Sequence, residues 1–249
     1  MAKTKPVYKT IRSKFFVDFC DIFKSLLSLN DTDIISNMRD ASLDDSNKGS
    51  LVYLYDGKHN NMDTVKLDDM TMPFLHYMKN ERRLKYFEQP KAVDAICVNQ
   101  NNEWFLIEFK NCPIYKNTKK GKELNSDVLA SIRQKMFGSL WLLLTLSSFS
   151  RKDVFGDDVT EFARTHFTYI AVVSREKNPD EFRRIHECPN NRYTPPYLSK
   201  YVGYYFKDVY MLTENEFSKF KGLFSFSIGA NFITTAAEMK MIIICATIE

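Results

Sequence analysis

Asp94, Glu108 and Lys110 are the residues whose types and spacing could do chemistry together. Two apolar runs, Val93 to Val98 and Trp104 to Phe109, flank the polar cluster Asn99-Gln100-Asn101-Asn102, and the pattern predicts a β-hairpin. A turn about Asn101 sets Val98 opposite Trp104, Ile96 opposite Leu106 and Asp94 opposite Glu108. Directly opposed side chains have Cβ atoms about 4.5–5.5 Å apart, so this register brings two carboxylates together. Lys110, two residues past Glu108, points to the same side. That face otherwise carries Ile96, Val98, Trp104 and Leu106, and the other carries Val93, Ala95, Cys97, Phe105, Ile107 and Phe109. Both faces are therefore expected to be buried.

Like charges opposed across a ladder destabilise it, and burial makes matters worse unless something positive compensates. A divalent cation is the natural compensator. Two carboxylates, a backbone carbonyl and water form the hard-oxygen shell that Mg²⁺ or Mn²⁺ prefers, with a substrate phosphate completing it. Such an ion polarises a phosphoryl oxygen and lowers the pKa of a bound water, while a neighbouring lysine orients or deprotonates that water. The expected reaction is phosphodiester hydrolysis. Taken alone, Glu-x-Lys is an ordinary alternation on a solvent-facing strand; the apolar frame and the opposed Asp94 favour the catalytic reading. The bland alternative is an exposed hairpin end where Lys110 merely screens two acids.

At these residues the chain resembles the PD-(D/E)xK, or restriction-endonuclease-like, nuclease superfamily, whose signature is an Asp, a spacer and then Glu-x-Lys on a β-hairpin. The matching residues are Val93-Asp94, thirteen intervening residues, and Glu108-Phe109-Lys110, with Val93 where the motif's name has proline and Pro90 three residues earlier. The resemblance implies an α/β fold: a central mixed β-sheet flanked by helices, with a core over about 72–174 and additions at both ends of a single nuclease-like domain. It also implies that Asp94 and Glu108 bind Mg²⁺ or Mn²⁺, that Lys110 assists the attacking water, and that DNA is the substrate. Members often add an acid on the helix before the sheet and, in some branches, a glutamine on the helix after it. Glu81 is the best-placed acid, with Asp18 and Asp21 as alternatives if residues 37–70 are an insertion, and Gln134 is the glutamine.

The elements that would position these groups follow from periodicity. Phe16, Phe19, Phe23, Leu26 and Leu27 predict an amphipathic helix over Phe15 to Leu29. Residues 37–70 are rich in Asn, Asp and Ser and read as a long connection or insertion, broken by one strand at Leu51 to Tyr55. A short helix from Pro73 to Lys79 and a strand at Leu84 to Phe87 precede the hairpin. A long helix runs from about Leu124 to Ser147, its polar side carrying Ser126, Arg133 and Gln134. Phe167 to Val173 reads as a buried strand, and Val202 to Met211 as another, within a stretch whose tyrosines favour packing over base stacking. Lys116, Lys119, Lys120 and Lys122, with no acid among them, would project beside the site and, with Arg133, contact backbone phosphates; a solvated loop is the competing reading.

Composition sets the outer bounds. The 249 residues carry 35 Lys and Arg against 31 Asp and Glu, and 44% are hydrophobic, which excludes a collagenous or wholly disordered chain. Charge is uneven: Lys3, Lys5, Lys9, Arg12 and Lys14 form a basic arm ahead of an Asp-rich segment. Five scattered cysteines lack zinc or disulfide spacing, and no histidine pair has metal spacing. The opening lacks a basic and apolar leader, and the longest apolar runs fall short of the roughly 20 residues a membrane span needs. The expectation is a soluble cytoplasmic protein that binds nucleic acid and no membrane, with oligomerisation left open.

Overall fold

The computed structural model describes residues 12–44, 52–57, 62–150 and 153–220. The basic arm at Lys3, Lys5 and Lys9, and everything after Phe220, lie outside them. In chain order the elements are α1 (Lys14–Leu27), α2 (Asp31–Ile34), β1 (Ile35–Asn37), α3 (Met38–Ala41), β2 (Leu43–Asp44), β3 (Val52–Tyr53) and β4 (Asp63–Val65). There follow α4 (Thr71–Asn80), β5 (Ala95–Val98), β6 (Trp104–Lys110), β7 (Tyr115–Thr118), β8 (Gly121–Leu124) and α5 (Ser126–Phe149). Last come α6 (Val159–His166), β9 (Phe167–Val173), α7 (Pro179–Glu187), α8 (Pro196–Ser199), β10 (Asp208–Thr213) and α9 (Glu214–Ser218).

Six strands form one central mixed sheet in the order β1-β4-β5-β6-β9-β10. The pairs from β1 to β6 are antiparallel, and β6, β9 and β10 are parallel. Parallel neighbours need a crossover, and α5 with α6 supplies it between β6 and β9. All seven residues of β9 are buried, as its unbroken apolar run requires of a strand covered on both faces. One face of the sheet presents Ile96, Val98, Trp104, Leu106, Tyr169 and Ala171 to Phe19 and Phe23 of α1 and to Ile132, Met136 and Leu140 of α5. The other presents Ala95, Cys97, Phe105, Ile107, Ile170 and Val172 to Met38, Tyr55 and Phe217.

The hairpin register is the predicted one: Val98 faces Trp104, Ile96 faces Leu106 and Ala95 faces Ile107. Its turn is pinned by Asn99, whose Oδ1 accepts from the amides of Asn101 and Glu103. Asn102 takes the left-handed conformation at φ 59°, which asparagine tolerates better than most residues. Beyond the turn, Trp104 packs in an aromatic cluster with Phe19, Phe155, Phe162 and Phe167. A slip of one residue would send every one of these side chains to the opposite face, so the cluster also fixes which side Glu108 occupies.

Five expectations are corrected. Leu84 to Phe87 is not a strand, because the place beside β5 that it would need is held by β4, through Val65 opposite Ile96. That segment turns instead, with Arg83 at φ 57° and Phe87 tucked against Phe74 and Trp141. Residues 37–70 are more than a connection, since β4 and the last residue of β1 belong to the central sheet. The strand expected over Leu51 to Tyr55 is only Val52–Tyr53, in a separate pair with β2. The strand expected over Val202 to Met211 begins at Asp208, after a turn with Gly203 at φ 69°. Tyr201 and Tyr205 pack on Phe137 of α5, so the tyrosine stretch serves packing as expected, though not as a strand. Val93, one step before the ladder, packs with the Ile96 face and not with Ala95.

Candidate active site

Asp94 and Glu108 meet at the open end of the β5–β6 ribbon, under α5. Asp94 lies just before β5, and its Oδ2 accepts the Phe109 amide at 2.6 Å, so the carboxylate takes up the β6 amide where the ladder stops. Glu108 is fully buried; on its far side β6 pairs with β9 through Ala171. Lys110 Nζ lies 2.5 Å from Glu108 Oε1 and donates to Ser131 Oγ of α5 at 3.1 Å. The three predicted groups therefore converge.

A fourth group joins them. Lys135, from α5, reaches Asp94 Oδ1 at 2.6 Å and Glu108 Oε2 at 3.0 Å, bridging the two carboxylates. Each oxygen of Glu108 is thus met by one ammonium, Oε1 by Lys110 and Oε2 by Lys135. Lys135, and not the expected Gln134, is the α5 side chain that reaches the carboxylates. One residue is about 100° around a helix. Gln134 is exposed and accepts from Lys91 Nζ at 2.8 Å, while Lys135 turns inward. The available signal was spacing: Lys135 sits among Ile132, Met136 and Ser139, all buried, and a lysine in a core stripe calls for a buried acid.

Helix α5 also holds the segment that delivers Asp94. Ser139 Oγ accepts the Val93 amide at 2.9 Å. At Gly138 the helix comes so close to the chain that an added Cβ would stand 1.9 Å from the Lys91 carbonyl oxygen. Only glycine permits that approach.

Electrostatics follow from burial. Glu108 is pushed up to about 7 by desolvation and by the Asp94 charge, against the pull of Lys135 and Lys110. Burial alone would lower Lys135, but Glu108 and Asp94 together raise it above its ordinary value. Asp68, in the turn between β4 and α4, is raised to about 6 by burial and by repulsion from Asp94. The Lys135 charge acts in the opposite sense and lowers it. The buried Tyr169 hydroxyl has no hydrogen-bond partner and is raised by burial and by the charges of Glu108 and Asp94.

No sequence expectation falls on Asp68, which lies between β4 and α4; the strand expected within residues 37–70 covers only Leu51 to Tyr55. Glu81 is exposed at the far end of α4, roughly 15 Å along the helix from the end that Asp68 precedes. Asp21 pairs with Lys24 at 3.0 Å, and Asp18 is half-buried on α1. Lys116, Lys119, Lys120 and Lys122 are exposed on the β7–β8 hairpin, and Lys122 is paired with Asp180. Arg133 is half-buried with an unsatisfied Nε.

Among the described residues no three of His, Cys, Asp and Glu form a ready-made metal cage. The donor set still suits Mg²⁺, which is held by one or two carboxylates with waters and substrate phosphates. Glu108 and Asp94 supply carboxylate oxygens that share the Lys135 ammonium, so they stand close enough to share an ion. Surface cavities of about 460 Å³ near Asp153 and about 390 Å³ near Arg12 include none of these side chains, so the candidate site rests on converging charges and not on cavity size. No described helix is long and apolar enough to cross a membrane. Comparison with protein-family models, with curated proteins and with solved structures gave no match to this chain.

Proposed function

We propose that this chain is a metal-dependent nuclease of the restriction-endonuclease-like type, hydrolysing phosphodiester bonds in DNA. The observation that carries the reading is the meeting of Asp94, Glu108 and Lys110 at one end of a buried hairpin whose register fixes their side. Asp94 and Glu108 would hold Mg²⁺ or Mn²⁺, and the Asp68 charge, which Asp94 opposes, would add to the negative field around the ion. The ion, when bound, supplies Lewis-acid polarisation of the phosphoryl group and a more acidic water. Lys110, steadied by Ser131, would orient the attacking water and offset charge developing on the phosphate. The β7–β8 lysines would meet the substrate backbone.

A second reading has its own observation. Lys135 already neutralises the carboxylate pair, and Glu108 is fully buried, as suits a scaffold that binds nucleic acid or protein without turnover. Incubation with single-stranded, duplex and branched DNA, and with RNA, in Mg²⁺ or Mn²⁺ separates the two. The enzyme reading predicts cleavage that disappears in Asp94→Asn and in Lys110→Ala. Binding without cleavage under every condition, unchanged by those substitutions, supports the scaffold.

A further inference from the structure

Two carboxylates and two ammonium groups already balance to zero in the Asp94–Glu108–Lys110–Lys135 set. Adding a divalent cation to that set leaves two positive charges with at most the Asp68 carboxylate to oppose them in a partly desolvated place, which is costly unless a lysine leaves. The two lysines differ in how they are held. Lys110 is tied to Ser131 Oγ as well as to Glu108, and its side chain is 15% exposed. Lys135 contacts only the two carboxylates, stands between them, and is 20% exposed at the end of a flexible four-carbon stem.

We propose that Lys135 is an internal counter-ion standing in for the divalent cation, and that metal binds Asp94 and Glu108 by displacing it. Lys135 is then a positioning residue: without metal it holds the carboxylates together in the ligating arrangement, and it sets the concentration at which metal loads. The proposal rests on the nuclease reading for the identity of the ion, and on the bridging geometry for the rest. Once displaced, the ammonium stays tethered within a side chain's length of the pair, where an incoming phosphate would bring its own negative charge.

The test is calorimetric titration of MnCl₂ into the full-length wild type, Lys135→Met, Lys135→Arg and Asp94→Asn, with folding followed by circular dichroism. The proposal predicts Mn²⁺ binding to Lys135→Met at least tenfold tighter than to wild type, no tightening in Lys135→Arg, and loss of the site in Asp94→Asn. Asp94-dependent binding to wild type that is equal or weaker in Lys135→Met would overturn the displacement and leave the nuclease reading standing. No Asp94-dependent Mn²⁺ binding in any folded protein would remove both. If Lys135→Met does not fold, wild-type lysine acetylation read by peptide mass spectrometry decides. Labelling of Lys135, normalised to the exposed Lys119, should rise at least threefold on adding Mn²⁺; unchanged or reduced labelling contradicts displacement.

Discussion

Asp94 is held by two different donors, the Phe109 amide and the Lys135 ammonium, whereas Glu108 is met by ammonium groups alone. That difference makes Asp94→Asn the cleaner functional probe, because an amide oxygen can still accept the Phe109 amide while the charge is lost. Asp68 carries an electrostatic cost of its own in the fold. Its carboxyl is raised from 3.8 to about 6. An acid raised on folding contributes stability that is complete below its unfolded value and lost as pH climbs through its folded value. In chelator, Asp68→Asn is therefore expected to be neutral near about pH 3.5 and stabilising above about pH 6. The gain is at most about 2–3 kcal/mol, a ceiling lowered by partial exposure. Thermal unfolding across that range checks it, and a variant less stable than wild type at about pH 8 would show that the Asp68 charge is favourably paired.

At the scale of elements, the β5–β6 hairpin and α5 act as two halves of one clamp. The hairpin fixes which face the carboxylates share, and α5 fixes how close Asp94 comes, through Gly138, Ser139 and Lys135. Gly138→Ala adds a methyl that would lie 1.9 Å from the Lys91 carbonyl, so backbone must move. The better helix propensity of alanine, about 1 kcal/mol, is outweighed by overpacking of about 1–3 kcal/mol. Expected results are a lower melting temperature and weaker Mn²⁺ binding, because Asp94 shifts; a more stable variant with unchanged binding would refute the clamp. The hairpin was legible in the sequence because alternation, the Asn cluster and the apolar frame all favoured one register. Buried strand β9 was legible from its unbroken apolar run. Asp68 was not, since β4 is three residues long with one residue directly paired to β5, too short for a periodic signal. Lys135 was hidden because a helix face is read by its apolar residues, and a charged one on the inward side looks like an outlier until its partner is known.

For the whole molecule, the two ends of the central hairpin have divided tasks. The Trp104 end is aromatic and packed, and the Lys110 end is charged and leads, through residues 111–114, into the β7–β8 hairpin with its lysines. If that hairpin tracks a phosphate backbone, replacing Lys116, Lys119 and Lys120 together by Ala should weaken nucleic-acid binding evenly across sequences. The slope of log affinity against log salt should fall by about 2–3 units. Lys122→Ala should change it less, since that lysine is committed to Asp180; an unchanged slope in the triple variant would assign the hairpin another role. The net charge of +4 is too small to bind nucleic acid by itself, so any affinity must come from such local clusters. The most direct measurement of the central claim is a crystal of the full chain soaked in Mn²⁺ and examined by anomalous scattering. The account predicts one strong peak about 2.1 Å from oxygens of both Asp94 and Glu108, with Lys135 swung away. A map with no peak there, and Lys135 still bridging the two carboxylates, would contradict it.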